Sequence, residues 1–305
     1  MAFDHSVTDL HSLALAAVEI QQLYLARCGR EAPVSPPAGS FLDFCIEERH
    51  VSPARVLGSV TRWRGFTEAD QGRLPRFSLH LGIDEEEDVP LTAEEIELCD
   101  ATAADIFEAR CRTAGGSLFA GLLAALGMIS RISSDQGVLR LLAPYQTRTP
   151  ATRSALGWFV NAVPLELRMD DESNFDALVP RARAAIRRAF EYLDVPFGLV
   201  ERETEMQPFT GSGGWISYMD YRPYNVDHHP ATLGAQILTN PRRGRELDIW
   251  ISRTGDGVSV HARYPDNAVA KRNVRAYLRE LEEVIDHLVI RDEGHRPTRP
   301  TSEVG

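Results

Sequence analysis

Leu118 to Ile129 reads Leu-Phe-Ala-Gly-Leu-Leu-Ala-Ala-Leu-Gly-Met-Ile, twelve residues without a charge. A bilayer-spanning helix needs ~20 apolar residues, so this run is too short to cross a membrane. A helix that is apolar all round is buried on every side. The run therefore predicts an interior helix and, around it, a core large enough to enclose one. Gly115-Gly116-Ser117 breaks the chain just before it and recaps the new helix.

The neighbouring patterns supply both helices and strands. Leu10, Leu13, Ala17, Ile20 and Tyr24 recur at steps of three and four, one face of a helix ending near Arg27 and stopped by Gly29. Either Thr8 or Asp9 can cap it. Pro33–Gly39 is a connector, and Ser40–Arg49 a short helix with Phe41, Phe44 and Cys45 on its apolar side. Residues 55–75, with Trp63, show no clean period. Arg76–Ile83 alternates like a strand, and Asp84–Asp88 is an acidic loop. Thr92-Ala-Glu-Glu95 has the form of a capping box, which predicts a helix carrying Ile96, Cys99, Ala103, Ile106 and Phe107. Val138–Ala143 and Trp158–Leu167 read as strands. A helix opened by Ser173 runs through Phe175, Leu178, Ala182, Ile186, Ala189 and Leu193. Trp215–Tyr221, Leu233–Thr239, Glu246–Ser252 and Val258–Tyr264 are further strands, the last two joined by a hairpin at Thr254–Gly257. An amphipathic helix from Ala270 to Leu288 closes the fold, and His295–Gly305 reads as a frayed tail. Helices and strands mix throughout, which makes the fold class α/β, layered in the α+β manner.

Several functions are excluded. The formal net charge is −11, against the basic footprint of nucleic-acid binders. No Gly-rich phosphate loop follows a strand, and no Gly-x-Ser-x-Gly elbow is present. Cys28, Cys45, Cys99 and Cys111 are scattered, all in segments read as helical, so they suit free thiols better than a zinc site. Residues 1–20 lack the pattern of a signal peptide, and the expected location is cytoplasmic.

The chemistry concentrates at His5 and Asp9, four residues apart where the first helix begins. The spacing alone is weak: His80 and Asp84 repeat it in a stretch best read as structural. Context strengthens the first pair. Asp4-His5-Ser-Val-Thr-Asp9-Leu10 matches two histidines, three variable residues, aspartate and glycine, with Asp4 and Leu10 as departures. Tyr145-Gln-Thr-Arg148-Thr-Pro150 is followed by Leu156-Gly157-Trp-Phe-Val-Asn161, then by Tyr192-Leu-Asp-Val-Pro-Phe197, Glu246–Ile251 and Tyr264-Pro-Asp-Asn267. In this order the segments resemble the condensation-domain superfamily of acyltransferases over residues 4–294. Ile216–Arg222 is similar to its stand-alone, polyketide-associated, ester-forming branch.

The resemblance implies a chloramphenicol-acetyltransferase-like fold of two lobes. Residues 1–74 would be the remnant of a truncated N-terminal lobe, 75–292 the C-terminal lobe and 293–305 a flexible tail. It implies acyl transfer from a carrier-protein or coenzyme A thioester to an alcohol or amine, in secondary-metabolite or lipid biosynthesis. His5 would be the catalytic group, as general base or as a positioning group. Asp9 would be structural, with Arg148 as its ion-pair partner and Arg153 as the alternative. Gly157, Asn161 and Ser217 would line the substrate channel, while Trp158, Phe159 and Val160 read as core. No metal and no permanently bound cofactor is implied; the partners would be the thioester carrier, the acceptor and, for a missing lobe, a second chain. Arg181, Arg183, Arg187 and Arg188 on one helix, and Arg242, Arg243 and Arg245, could attract a carrier or coenzyme A phosphates, though a solvated basic face is the simpler reading. A leucine at position 10 is costly if the turn needs left-handed angles. The rival reading is a non-catalytic remnant, or half of a split protein, serving as a binding or structural module.

Overall fold

Alternation along the late strands builds one side of the core. Ile249 and Ile251, then Val258, Val260, Ala262 and Tyr264, are nearly inaccessible and belong to one cluster. The computed structural model describes residues 3–29, 37–84, 88–134, 137–170, 174–204, 214–224 and 243–293. The strand expected at Leu233–Thr239 and the proline-rich tail lie outside them.

Seven strands form one sheet: β1 (Val89–Asp100), β2 (Val138–Gln146), β3 (Val160–Arg168), β4 (Trp215–Asp220), β5 (Arg243–Gly244), β6 (Asp248–Arg253) and β7 (Gly257–Pro265). Their order is β3-β2-β4-β6-β7-β1-β5. The β2–β4 and β4–β6 pairs are parallel, and the other pairs are antiparallel. The helices are α1 (Leu10–Arg27), α2 (Phe41–Arg49), α3 (Pro53–Thr67), α4 (Ala101–Thr113), α5 (Leu118–Ser134), α6 (Phe175–Ala189), α7 (Phe197–Arg202) and α8 (Ala268–Glu293). Helices α4, α5, α6 and α8 cover one face of the sheet. On the other face α3 and α7 bury Val60, Trp63, Phe66 and Val200 against Leu142 of β2 and Ala162 of β3. The expected interior helix is α5: Ala120, Leu122, Ala124, Ala125 and Leu126 are wholly inaccessible.

Three expectations need correction. Thr92–Glu95 opens no helix, because Leu91–Asp100 pairs with β7, with one irregularity between Glu97 and Cys99. Glu94, beside the glutamate of the apparent box, accepts from Tyr264 Oη at 2.8 Å and pairs with Arg275 at 2.6 Å. The real cap is Asp100, whose carboxylate accepts from Ala103 N at 2.8 Å, so Cys99 stands on a strand. Arg76–Ile83 is irregular, fastened through its carbonyls: Asn267 Nδ2 donates to Leu81 O and Asn273 Nδ2 to His80 O. Much of the stretch 55–75, which gave no period, lies in α3, whose Trp63 is fully buried.

Smaller shifts follow from local hydrogen bonding. Asn174 caps α6, and β3 begins at Val160 because Trp158 and Phe159 belong to the approach loop. Of the four free thiols, Cys99 and Cys111 are buried, Cys45 is partly covered and Cys28 is exposed.

Candidate active site

Asp4 makes the turn that presents His5. Its carboxylate accepts from Ser6 N at 2.9 Å and Ser6 Oγ at 2.6 Å. Those two bonds hold it below the usual carboxylate range. His5 is exposed, with Nδ1 2.7 Å from the Thr8 carbonyl oxygen. A carbonyl only accepts, so Nδ1 carries a hydrogen, and in the neutral ring the lone pair is then on Nε2. The ring meets Trp158 edge-on, with centroids 4.9 Å apart.

Below this turn lies a buried polar cluster. Asp9 is the N-cap of α1, accepting from Ser12 N at 2.7 Å. Its carboxylate also accepts from Phe159 N at 3.0 Å and from both terminal nitrogens of Arg148, at 2.5 and 3.0 Å. Both side chains are 3% exposed. Arg148 Nη2 reaches Ser12 Oγ at 2.8 Å, and the guanidinium lies 4.5 Å from the centre of the Phe159 ring. Burial would raise the Asp9 carboxyl, but Arg148 and the amides of Ser12 and Phe159 outweigh it and hold the group below its ordinary value. A charge this deep needs such compensation. Arg153, the alternative partner, contributes its carbonyl to His11 instead.

Gly157 seals the contact with α1. Its carbonyl accepts from Asp9 N and Ser12 Oγ, and its own N–H donates to Ser12 Oγ at 3.0 Å. A Cβ there would fall 2.5 Å from the Phe41 ring, so only glycine lets α2 close over this loop. Leu10, at the family's glycine position, is the first residue of α1 and ordinary helix; Gln71 is the sole non-glycine with positive φ among the described residues.

Two of the expected channel residues, Asn161 and Ser217, are buried on β3 and β4. Asn161 is 5% exposed, and its Nδ2 donates to Val195 O at 2.8 Å while Oδ1 accepts from Phe197 N and Ala162 N. Its amide is therefore a strut between β3 and the start of α7, with little left for a substrate. Ser217 is buried on β4 opposite Trp250 of β6. Nothing in its placement joins it to the His5 cluster.

The basic residues are largely engaged within the chain. Arg181 pairs with Asp170, Arg183 donates to Gly115 O, and Arg188 to Glu166 O. Arg243 and Arg245 both meet Asp88; Arg242 lies outside the described residues. The His80 carbonyl accepts from Asn273 Nδ2.

Ser12, His11 and Tyr224 belong to the cluster and were not singled out from the sequence. Ser12 sits three residues beyond the capping aspartate, the one signal that could have found it. Tyr224 meets α1 from 213 residues away, a contact no local pattern carries. Among the described residues no three His, Cys, Asp or Glu side chains gather as a metal site, and no single helix is long and apolar enough to cross a membrane.

This geometry agrees with what comparison finds. The family model described as Condensation domain matches residues 1–289. Acyltransferase PapA3 of Mycobacterium tuberculosis is 26% identical over 294 residues, covering 93% of this chain and 62% of that protein. Trehalose-2-sulfate acyltransferase PapA2 of the same species is 26% identical over 292 residues, covering 92% and 61%. A structure of a PapA2 acyl transferase superposes with a TM-score of 0.75 at 24% identity, over 93% of this chain and 63% of that one. The starter condensation domain of rhizomide synthetase, solved with C8-CoA and Leu-SNAC, gives 0.67 at 16% identity over 93% and 64%. The chain thus spans about three-fifths of the length of these relatives, in the mixed α/β fold of condensation-domain acyltransferases. It belongs to the condensation-domain family.

Proposed function

We propose that the chain carries the catalytic histidine of an acyltransferase, moving an acyl group from a thioester on coenzyme A or a carrier protein to an alcohol or amine. The observation that carries this reading is His5 itself: an exposed imidazole whose Nδ1–H is held by Thr8 O, so that in the neutral ring the lone pair is on Nε2. The acceptor O–H or N–H adds to the thioester carbonyl carbon while Nε2 takes its proton. The tetrahedral intermediate then collapses, the C–S bond breaks, and the departing thiolate receives that proton from the imidazolium. A simple thiol has a pKa of about 8.5, so the sulfur leaves without a strong acid. The reaction needs no metal and no resident cofactor. Asp9 and Arg148 do not touch the reacting atoms in this scheme; they fix the start of α1 on the sheet. An alcohol acceptor, giving an ester, is favoured by Ile216–Arg222 and by the PapA relatives.

Residues 1–74 are assigned in this reading to one lobe and 75–292 to the other. Leu23 and Tyr24 of α1 and Leu42 of α2 are 61%, 69% and 73% exposed. Such a run of apolar side chains supports a further lobe, in a longer chain or a partner, seated against α1 and α2. Four unpaired thiols suit a reducing compartment, and so the cytoplasm.

Thiol release from an acyl-CoA, dependent on added alcohol or amine, tests the chemistry. Wild type should release thiol in proportion to ester or amide formed, and His5→Ala should lose about a hundredfold or more of that rate with an unaltered melting temperature. Transfer at the full rate by His5→Ala removes the imidazole from the mechanism.

A further inference from the structure

His11 makes a contact that the transfer step does not use. Its Nε2 lies 2.9 Å from the Arg153 carbonyl oxygen, and its Nδ1 is hydrogen-bonded to Tyr224 Oη. The rings meet edge to face with centroids 5.1 Å apart. The partners fix the proton. Because a carbonyl only accepts, Nε2 carries the hydrogen, and Nδ1 of the neutral ring must accept from the tyrosine hydroxyl. That hydroxyl stays protonated, since burial pushes Tyr224 up to about 12.

The contact holds α1 from a second direction. Asp9 and Ser12 tie its first turn to the Arg148–Phe159 stretch. His11 ties the same turn to Arg222–Tyr224, the short 3-10 turn that follows β4. The groups facing the imidazole give a proton little welcome. Burial lowers its pKa first, and Arg148 adds to that; the Arg153 carbonyl and Asp9 oppose it without reversing the direction. Asp9 is already engaged by Arg148, and Asp220, behind Tyr224, by Arg222 at 2.6 Å.

We infer that His11 is a positioning residue, a neutral clip between Arg153 and Tyr224 that keeps α1, and with it the turn presenting His5, in register with the sheet. Taking up a proton charges the clip and removes the lone pair that Tyr224 donates to, so α1 loosens as the pH falls. The sign follows from linkage: with the folded-state pKa depressed, the clip's contribution is complete above the ordinary histidine value of about 6.5 and declines as pH falls through the folded value. The consequence for acyl transfer rests on the function proposed above; the clip itself does not.

Imidazole nitrogen NMR and amide exchange on the full chain test it. His11 should show the Nε2–H tautomer and titrate below about 6.5. Protection factors of α1 amides should fall about tenfold between roughly pH 7 and 5 in wild type. His11→Gln offers the same donor and acceptor without a titratable group, so its α1 protection should not fall over that range. His11→Ala should lose protection at every pH. An Nδ1–H tautomer, titration at or above the ordinary value, or the same acid loss in His11→Gln as in wild type would each overturn the clip. A wild type that shows the clip but transfers no acyl group defeats the proposed chemistry instead. A wild type that transfers, with an acid limb unaltered in His11→Gln, defeats the link from clip to His5.

Discussion

Helices α8 and α1 have the same kind of sequence and opposite fates. In α8 the apolar positions Val274, Leu278, Leu281 and Ile285 are wholly inaccessible, packed against the sheet and α4. In α1 the equally regular series is covered only in part: Leu10, Leu13 and Ala17 keep some exposure, Ile20 is 41% exposed and Tyr24 69%. The fully buried residues of α1 are Ser12, Ala14 and Ala16. One helix is held by apolar area, the other by a buried ion pair and hydrogen bonds at its first turn. An amphipathic pattern specifies a helix; whether its stripe is covered depends on what lies opposite. Where the stripe lacks a cover, charge and geometry carry the attachment, and the candidate histidine rides on that attachment.

The largest expected effect tests the polar anchor. Arg148→Ala leaves the buried Asp9 carboxylate without its counter-charge, with only the amides of Ser12 and Phe159 to hold it, a change that costs about 3–5 kcal/mol. The loss should appear as collapsed amide protection in α1, with α8 protected nearly as before. Uniform loss across both helices would show that they are not held separately. Because the Asp9 pKa is depressed, the anchor's contribution is present above the ordinary carboxylate value and lost as pH falls through the folded one.

Leu281→Ala comes next, at about 2–5 kcal/mol for a large-to-small change in a packed core. Here the whole molecule should be destabilised, seen as a lower denaturant midpoint by every probe. A loss confined to α8 would break the comparison from the other side. The smallest effect is expected at the uncovered stripe. Leu23→Ser with Tyr24→Ser should shift stability by no more than about 0.5 kcal/mol each, as exposed positions do, while reducing self-association in sedimentation. A drop of several kcal/mol would mean that the stripe is covered in solution.

The sequence read well where one element carried the whole signal. Helix α5 declared itself through an uninterrupted apolar run, and α8 through its period. It misled where a local signature competed with a distant partner: Thr92–Glu95 has a helix-start pattern, yet pairing with β7, some 170 residues on, made it a strand. The motif residues were legible from their order along the chain, and Arg148 was found as the neighbour of Asp9 that a buried carboxylate requires. For Asn161 the sequence carried no sign of its bracing bonds, because the contacts to Val195 and Phe197 form only when β3 meets the start of α7. His11 and Tyr224 were invisible for the same physical reason, since their bond exists only once β4 is in place.

A double-mutant cycle on Asp9→Asn and Arg148→Met, read as α1 amide protection, bears most directly on the claim that a buried ion pair seats the histidine-bearing turn. The pair should show strong coupling, with the double variant losing clearly less than the sum of the singles, by about 1.5–3 kcal/mol. Losses that simply add would mean that the two residues act independently, and that α1 and His5 are held by something else.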